Sequence, residues 1–399
     1  MKKITVLVTF LTALILGARA QQQPQLQSPD STLIKTLLKQ MEDLQKQNQN
    51  HSSSINALLT GKDIDAANKY SIIKQNLING TAAFQLLNNK INILKSKTSG
   101  DRLDLFIKDL NNPQSNTLGF KLDETIIGLV NDNLKVGKKN IRNKIIQNIA
   151  GITKGQIVST IASVSPAITV SNAVLSLLRS ASIVSDDLDQ NNILKIEKEL
   201  NNYVQYYVAL NDGNAAFTYN LSTQSQELGL LQQKLSDQIT FFATTLNYRV
   251  EKPKPGESLS THLNNLFLTF DKAHVSKLLS DLEKQHSTNG RINYEAILSS
   301  NGGNLKEANN RLEELIQLIN QFEFQNNQYF NIYDTYNSRI LQALDIAGAN
   351  KIADPSLIGS RKSELTTLKN QAVSDIKASI NLPELLLSKQ SVKYTARIL

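Results

Sequence analysis

Leu305, Ala308, Leu312, Leu315, Ile319, Phe322, Asn326, Tyr329, Tyr333, Tyr336, Ile340 and Ala343 recur at alternating steps of three and four through six heptads. Asn326 is the single polar member. A stripe of this length commits the segment to an α-helix that buries one edge along its whole run. Its period of 3.5 calls for left-handed packing against a partner helix. The spacing predicts a long helix over 304–346, capped by Asn304 after an irregular piece ending at Ser299-Ser-Asn-Gly-Gly303. The partner is either the helix expected over 186–248 or the same helix of another copy.

That second helix carries its own stripe. Ile193, Ile196, Leu200, Tyr203, Tyr207, Leu210, Asn214, Phe217, Leu221, Gln224, Leu228, Leu231, Leu235, Gln238 and Phe242 keep one register. Ser185-Asp186-Asp187 forms an N-cap cluster, with carboxylates at the positive end of the helix dipole. The same acids do not form an EF-hand, because Asn191 stands where that loop needs glycine. Unbroken, about sixty residues at 1.5 Å each would span roughly 90 Å. The turn-like cluster Asn211-Asp212-Gly213-Asn214 is the one place where the helix is expected to break, if it breaks. Asn214 and Asn326, each on an apolar seam, are candidates for specifying register.

Prolines and polar clusters punctuate the rest. Glu251-Lys-Pro-Lys-Pro-Gly-Glu257 reads as a linker, since two prolines and four charges neither continue a helix nor enter a core. One helix is expected from Leu259 to about Lys284, and a last one from about Leu357 to Ile380, between Asp354-Pro355 and Pro383. On the N-terminal side, Asp30-Ser31-Thr32 caps a helix with a seam at Ile34, Leu37, Met41, Leu44, Asn48, His51, Ile55 and Leu58. A second helix is expected from about Ile64 to Lys97 and a shorter one to about Asn111, followed by a loop. The expected fold is all-α: an elongated helical bundle with long, coiled-coil-like antiparallel helices and a central apolar helical hairpin. Its segments are a signal peptide (1–20), a flexible Gln/Pro-rich tail (21–30), N-terminal helices (31–112), a basic then apolar hairpin (120–184), a long helix (185–249) and C-terminal helices (258–399).

The hairpin region is chemically distinctive. Between Asn133 and Ser185 there is no Asp or Glu. Lys135, Lys138, Lys139, Arg142 and Lys144 crowd its first part, as a candidate contact for an anionic membrane surface. From Gly155 to Leu178 there is no charge at all, and Ile157, Ile161, Val164, Pro166, Ile168, Val174 and Leu178 mark a segment destined for a core or for insertion. Ser165-Pro166 suits an N-cap and first helical position, which places the two arms at about 141–164 and 167–183. A helix apolar on all sides is normally surrounded by other helices. A stop-transfer span fits poorly, because the dense cations would lie on the outer side.

Lys2 and Lys3, the apolar run Ile4 to Leu16, and Ala18-Arg19-Ala20 read as a cleavable secretory signal. The expected location is therefore periplasmic or secreted. The chain has no cysteine, which excludes disulfides, thiolate metal sites and a cysteine nucleophile. His51, His262, His274 and His286 have no zinc-binding spacing. No phosphate loop, dinucleotide fingerprint or nucleophile elbow occurs. The function expected from these observations is a non-enzymatic structural or protein-interaction role, through a protein partner or self-association along heptad faces. An anionic membrane surface is a further partner, while no nucleic acid, small-molecule substrate, cofactor or metal is expected. The alternative is a membrane-inserting, pore-forming protein using the apolar segment 145–183.

Overall fold

A computed structural model describes residues 62–97, 101–133, 166–184 and 190–396, with isolated positions between 143 and 151. The chain forms two compact units, Met1–Ala67 and Asn68–Leu399. Of the first, only residues 62–67 are described. The signal peptide, the tail and the seam from Ile34 to Leu58 therefore lie outside the described residues, as do Ser185, Asp186, Asp187 and Asp189.

The described residues are helical almost throughout. In chain order they are α1 (Lys62–Ser96), α2 (Asp101–Leu110), α3 (Leu122–Asn133), α4 (Pro166–Val184), α5 (Gln190–Thr245), α6 (Leu259–Thr269) and α7 (Lys272–Gln285). After the two-residue strands β1 (Ser287–Thr288) and β2 (Arg291–Ile292) come α8 (Tyr294–Ala349), α9 (Pro355–Ile380) and α10 (Leu382–Ala396).

Helices α5 and α8 are each 56 residues long, about 84 Å at 1.5 Å per residue. They pack antiparallel within the chain. Gly213 lies against Arg339 and Ile340. The Phe217 ring stacks on Tyr336 at 4.0 Å and meets Tyr333 edge-on at 5.2 Å. Gln224 Nε2 donates to the Gln325 carbonyl at 2.9 Å, and Arg311 covers the Phe241 ring at 3.8 Å. As the number rises on one helix it falls on the other, so a single register holds along both. The heptad seam of α8 is thus occupied by the helix before the Pro-rich turn.

The cluster at 211–214 does not interrupt α5. Gly213 is its buried member, and Asn214 sits half-exposed beside it. A Cβ at Gly213 would stand 3.0 Å from Ile340 Cδ1, so the glycine provides close approach between the two longest helices. Near the C-terminal end of α5, Ile239 is buried, and the half-exposed Gln238 does not take the seam position its spacing suggested.

Helix α1 runs alongside both, held partly by polar contacts. Asn76 Nδ2 donates to Asn309 Oδ1 at 2.9 Å. Gln232 Nε2 donates to Asn92 Oδ1 at 2.7 Å and to Asn88 Oδ1 at 3.3 Å, while Asn88 Nδ2 donates to Asn264 Oδ1 at 2.8 Å. Asn76, Asn88 and Gln232 are buried. Buried amides are stabilising only where paired, so this network favours one register of α1 against α5 and α6.

The buried tyrosines find partners of another kind. Tyr206 Oη donates to the Leu110 carbonyl at 3.3 Å, and Tyr329 Oη to the Lys97 carbonyl at 2.7 Å. Both carbonyls stand at helix C-termini, where the backbone lacks its own partner. Tyr70 Oη donates instead to the Leu279 carbonyl within α7, at 3.2 Å.

Two expectations on the C-terminal side are corrected. The single helix from Leu259 to Lys284 is two, α6 and α7. Phe270 turns its ring into the core against Phe242 and Tyr248, and the Asp271 carboxylate then caps α7 by accepting from His274 N at 2.8 Å. The irregular piece through Gly303 is instead a hairpin followed by helix. Asn289 and Gly290 both have positive φ, the geometry of a tight two-residue turn. Helix α8 then begins at Tyr294, capped by Asn293, and Asn304 lies inside it.

Helix α9 lies antiparallel on α8 with few apolar anchors: Ile358, Leu365, Ile376 and Ile380. A ladder of cations accompanies them. Lys362 pairs with Asp345, Lys369 with Asp334, and Lys377 sits over the Phe330 ring. Asn381 in the left-handed conformation ends α9, and Pro383 falls in the first turn of α10.

Candidate functional site

The candidate residues of the α8 seam, Leu305, Leu312, Leu315, Ile319, Phe322, Tyr329, Tyr333, Tyr336 and Ile340, are all buried inside the chain. Lys135, Lys138, Lys139, Arg142 and Lys144, with Ile157, Ile161 and Val164, lie outside the described residues, as do the side chains of Pro166 and Leu178. The second arm of the apolar segment is α4. Ala167, Val170, Ser171 and Val174 are buried, and Ile168 is half-buried. Asn172, Ser176, Arg179 and Ser180 face outward, and Arg179 Nε donates to Glu197 Oε1 on α5 at 2.8 Å. Among the described residues no helix is long and apolar enough to cross a membrane.

The outer face of α5 carries the unexpected feature. Val208, Tyr219, Leu230 and Phe241 are 37%, 72%, 59% and 43% exposed. They are spaced at intervals of eleven residues. Eleven residues are three turns with a drift of about 20°, so the four side chains fall within about 60° of one another. Leu194, also exposed, falls in the same sector. The stripe points away from the buried face of the helix, and at its end Arg311 of α8 reaches round to cover one face of the Phe241 ring.

Its surroundings are low in charge. Between Glu199 and Lys234 the only charged residues are Asp212 and Glu227, in a chain that is 20% charged. The rest of the exposed surface there is Asn, Gln, Ser, Thr and Ala. A shallow cleft of about 440 Å³ lies beside the stripe, between α5 and α8. Asn220, Thr223, Glu227, Phe324, Gln328 and Asn331 line it, and Phe324 is exposed at its rim. Such a surface desolvates at low cost compared with one bearing lysines and glutamates.

A second cleft, about 420 Å³, opens where the end of α5 meets α7 and α8. Its floor is Leu246, Leu282 and Leu305, and its rim holds His274, Lys277 and Asp281. The His274 ring packs against Tyr248 and Phe270, and Lys277 pairs with Asp281 at 3.0 Å. The Lys277 ammonium holds the Asp281 carboxyl below the usual carboxylate range. Nearby, the Lys254 backbone N–H does the same for Glu257, aided by the Asn265 amide and by His262, whose Nδ1 is 3.6 Å away. These groups close the Pro-rich turn over α6. Among the described residues, no group of three or more His, Asp or Glu side chains is placed to hold a metal ion.

No protein-family model matches the sequence, and no curated protein or solved structure is significantly similar to it. The stripe was visible in the sequence as four large apolar residues at a fixed interval. Each of those residues lies outside the heptad register of α5, so the seam gives no sign of them.

Proposed function

We propose that this is an exported, non-catalytic helical protein that works by binding another protein along the outer face of α5. The carrying observation is the line of exposed Val208, Tyr219, Leu230 and Phe241 on a face whose only charges between Glu199 and Lys234 are Asp212 and Glu227. Apolar knobs at fixed helical spacing are what a partner helix or groove engages, and aromatic residues are enriched at the centres of such contacts. The long α5–α8 pair supplies a rigid support for that face. Export rests on Lys2, Lys3, the apolar run to Leu16 and the Ala18-Arg19-Ala20 cleavage pattern.

A photoreactive side chain placed at 219 or 230, in cells that produce the protein, tests the reading. Crosslinks to a polypeptide are expected at both stripe positions and not at Thr366 or Asn370, which are exposed on α9. Equal crosslinking on and off the stripe would count against a docking face.

A further inference from the structure

We infer that the partner of this face is a second copy of the chain, docked antiparallel about a two-fold axis at Leu230. The inference rests on the proposed binding role of the α5 face and names its occupant.

The argument is one of register and charge. With Leu230 against the partner's Leu230, eleven residues in either direction bring Tyr219 opposite the partner's Phe241, and Phe241 opposite the partner's Tyr219. Glu227 precedes the axis by three residues and Lys234 follows it by four. Antiparallel pairing therefore sets Lys234 beside the partner's Glu227, and the symmetry repeats the pair on the other side. Asp237, seven residues beyond the axis, meets the partner's uncharged Thr223. All of these residues are exposed on α5, and Lys234 donates to Gln321 Oε1 of its own chain at 3.4 Å.

The alternatives are poorer. A parallel pairing would set Lys234, Glu227 and Asp237 against their own copies, three like-charge contacts. An antiparallel pairing centred between Tyr219 and Leu230 would bring Asp212 against the partner's Asp237. An axis midway between Leu230 and Phe241 would set Lys234 beside the partner's Asp237 but would join only two pairs of knobs, whereas the axis at Leu230 joins three without opposing like charges. An eleven-residue repeat drifts little around a straight helix, so two such faces stay in contact with slight right-handed coiling.

The stripe from Tyr219 to Phe241 is about 33 Å long. Contact along it buries on the order of 1,000 Å² in total, the size of weak, transient contacts rather than of obligate dimers. The dimer would therefore form where the protein is concentrated.

Sedimentation equilibrium of the purified chain across the micromolar range tests this. The wild-type chain is expected to show a monomer–dimer equilibrium. Leu230→Asp, Glu227→Lys and Lys234→Glu should each weaken it about tenfold or more, the last two by creating like-charge pairs. The double variant Glu227→Lys with Lys234→Glu reverses both ends and should return to within about threefold of wild type. Circular dichroism should be unchanged in all four, because the substituted side chains are exposed. A wild-type chain that stays monomeric, or a double variant no better than the singles, overturns the inference. Crosslinks from positions 219 and 230 to a different polypeptide would also overturn it, while leaving the docking face itself standing.

Discussion

Two glycines inside helices have opposite physical roles. A Cβ at Gly80 in α1 would stand 2.3 Å from Leu312 Cδ2 and 3.2 Å from its Cγ, and Leu312 is itself buried. A Cβ at Gly303 in α8 would meet nothing within 4 Å. Alanine gains about 1 kcal/mol of helix propensity at either site. At Gly80 that gain is opposed by overpacking of about 1–3 kcal/mol. Gly80→Ala is thus expected to lower the unfolding midpoint and Gly303→Ala to raise it, as urea titrations followed by circular dichroism would show. Gly302-Gly303 looked like a helix stop because glycine weakens a helix, but that penalty is small against burial of Ile297 on one side and Leu305 on the other. Gly213 was hidden for the converse reason. No pattern of types tells a glycine used for close approach from one that is merely tolerated, and the neighbouring Asn214 fitted the heptad step equally well.

At the level of elements, periodicity was readable wherever a helix buries one long edge. The seams of α5 and α8 appeared in the sequence nearly residue by residue. The short elements depended on single side chains instead. The division between α6 and α7 follows from Asp271 preferring to cap His274 N and from Phe270 turning inward, and neither choice shows in an apolar count. The peripheral α9 differs in stability from the long pair. It has four buried apolar residues, and its ion pairs with α8 are partly exposed, where each contributes about 0–1 kcal/mol. Local opening of α9 should therefore require much less free energy than opening of α5 or α8. Native-state hydrogen exchange is expected to show α9 amides exchanging well before those of Leu228–Ala243, and faster still in molar salt, which screens the ladder. The start of α9 adds an acid-sensitive feature. Ser356 donates from its hydroxyl and its backbone N–H to Asp354, holding that carboxyl below its ordinary range. A depressed value means the cap is intact above the usual aspartate pKa and is lost as pH falls through the folded value. Exchange at the first turn of α9 should accordingly quicken in acid, and Asp354→Asn should remove most of that pH dependence.

For the whole molecule, the absence of cysteine leaves non-covalent packing to hold the fold, and much of that packing is aromatic. The sequence made the fold class legible because long stripes admit one architecture. The candidate interaction face stayed obscure because exposure of a residue is known only after the core has been assigned. The buried tyrosines give the fold a definite response to alkali. Burial raises Tyr70, Tyr206, Tyr207 and Tyr329 well above the ordinary phenol range, with Glu283 adding to the effect at Tyr70 and Tyr333 at Tyr329. In the unfolded chain the same phenols ionise near about pH 10. Their folded values are raised, so the native state keeps protons that the unfolded chain releases. The stabilisation is fully present below about pH 10 and is lost as pH rises above it. A mixed titration is therefore expected as alkali is added. Tyr70, Tyr206, Tyr207 and Tyr329 ionise in a second, late step, together with loss of the helical signal. Phenolate absorbance and circular dichroism recorded on the same samples would show the second step as one cooperative event. Smooth ionisation of all eleven tyrosines with helix retained would mean that the α1–α5–α8 core admits water, contrary to the packing described.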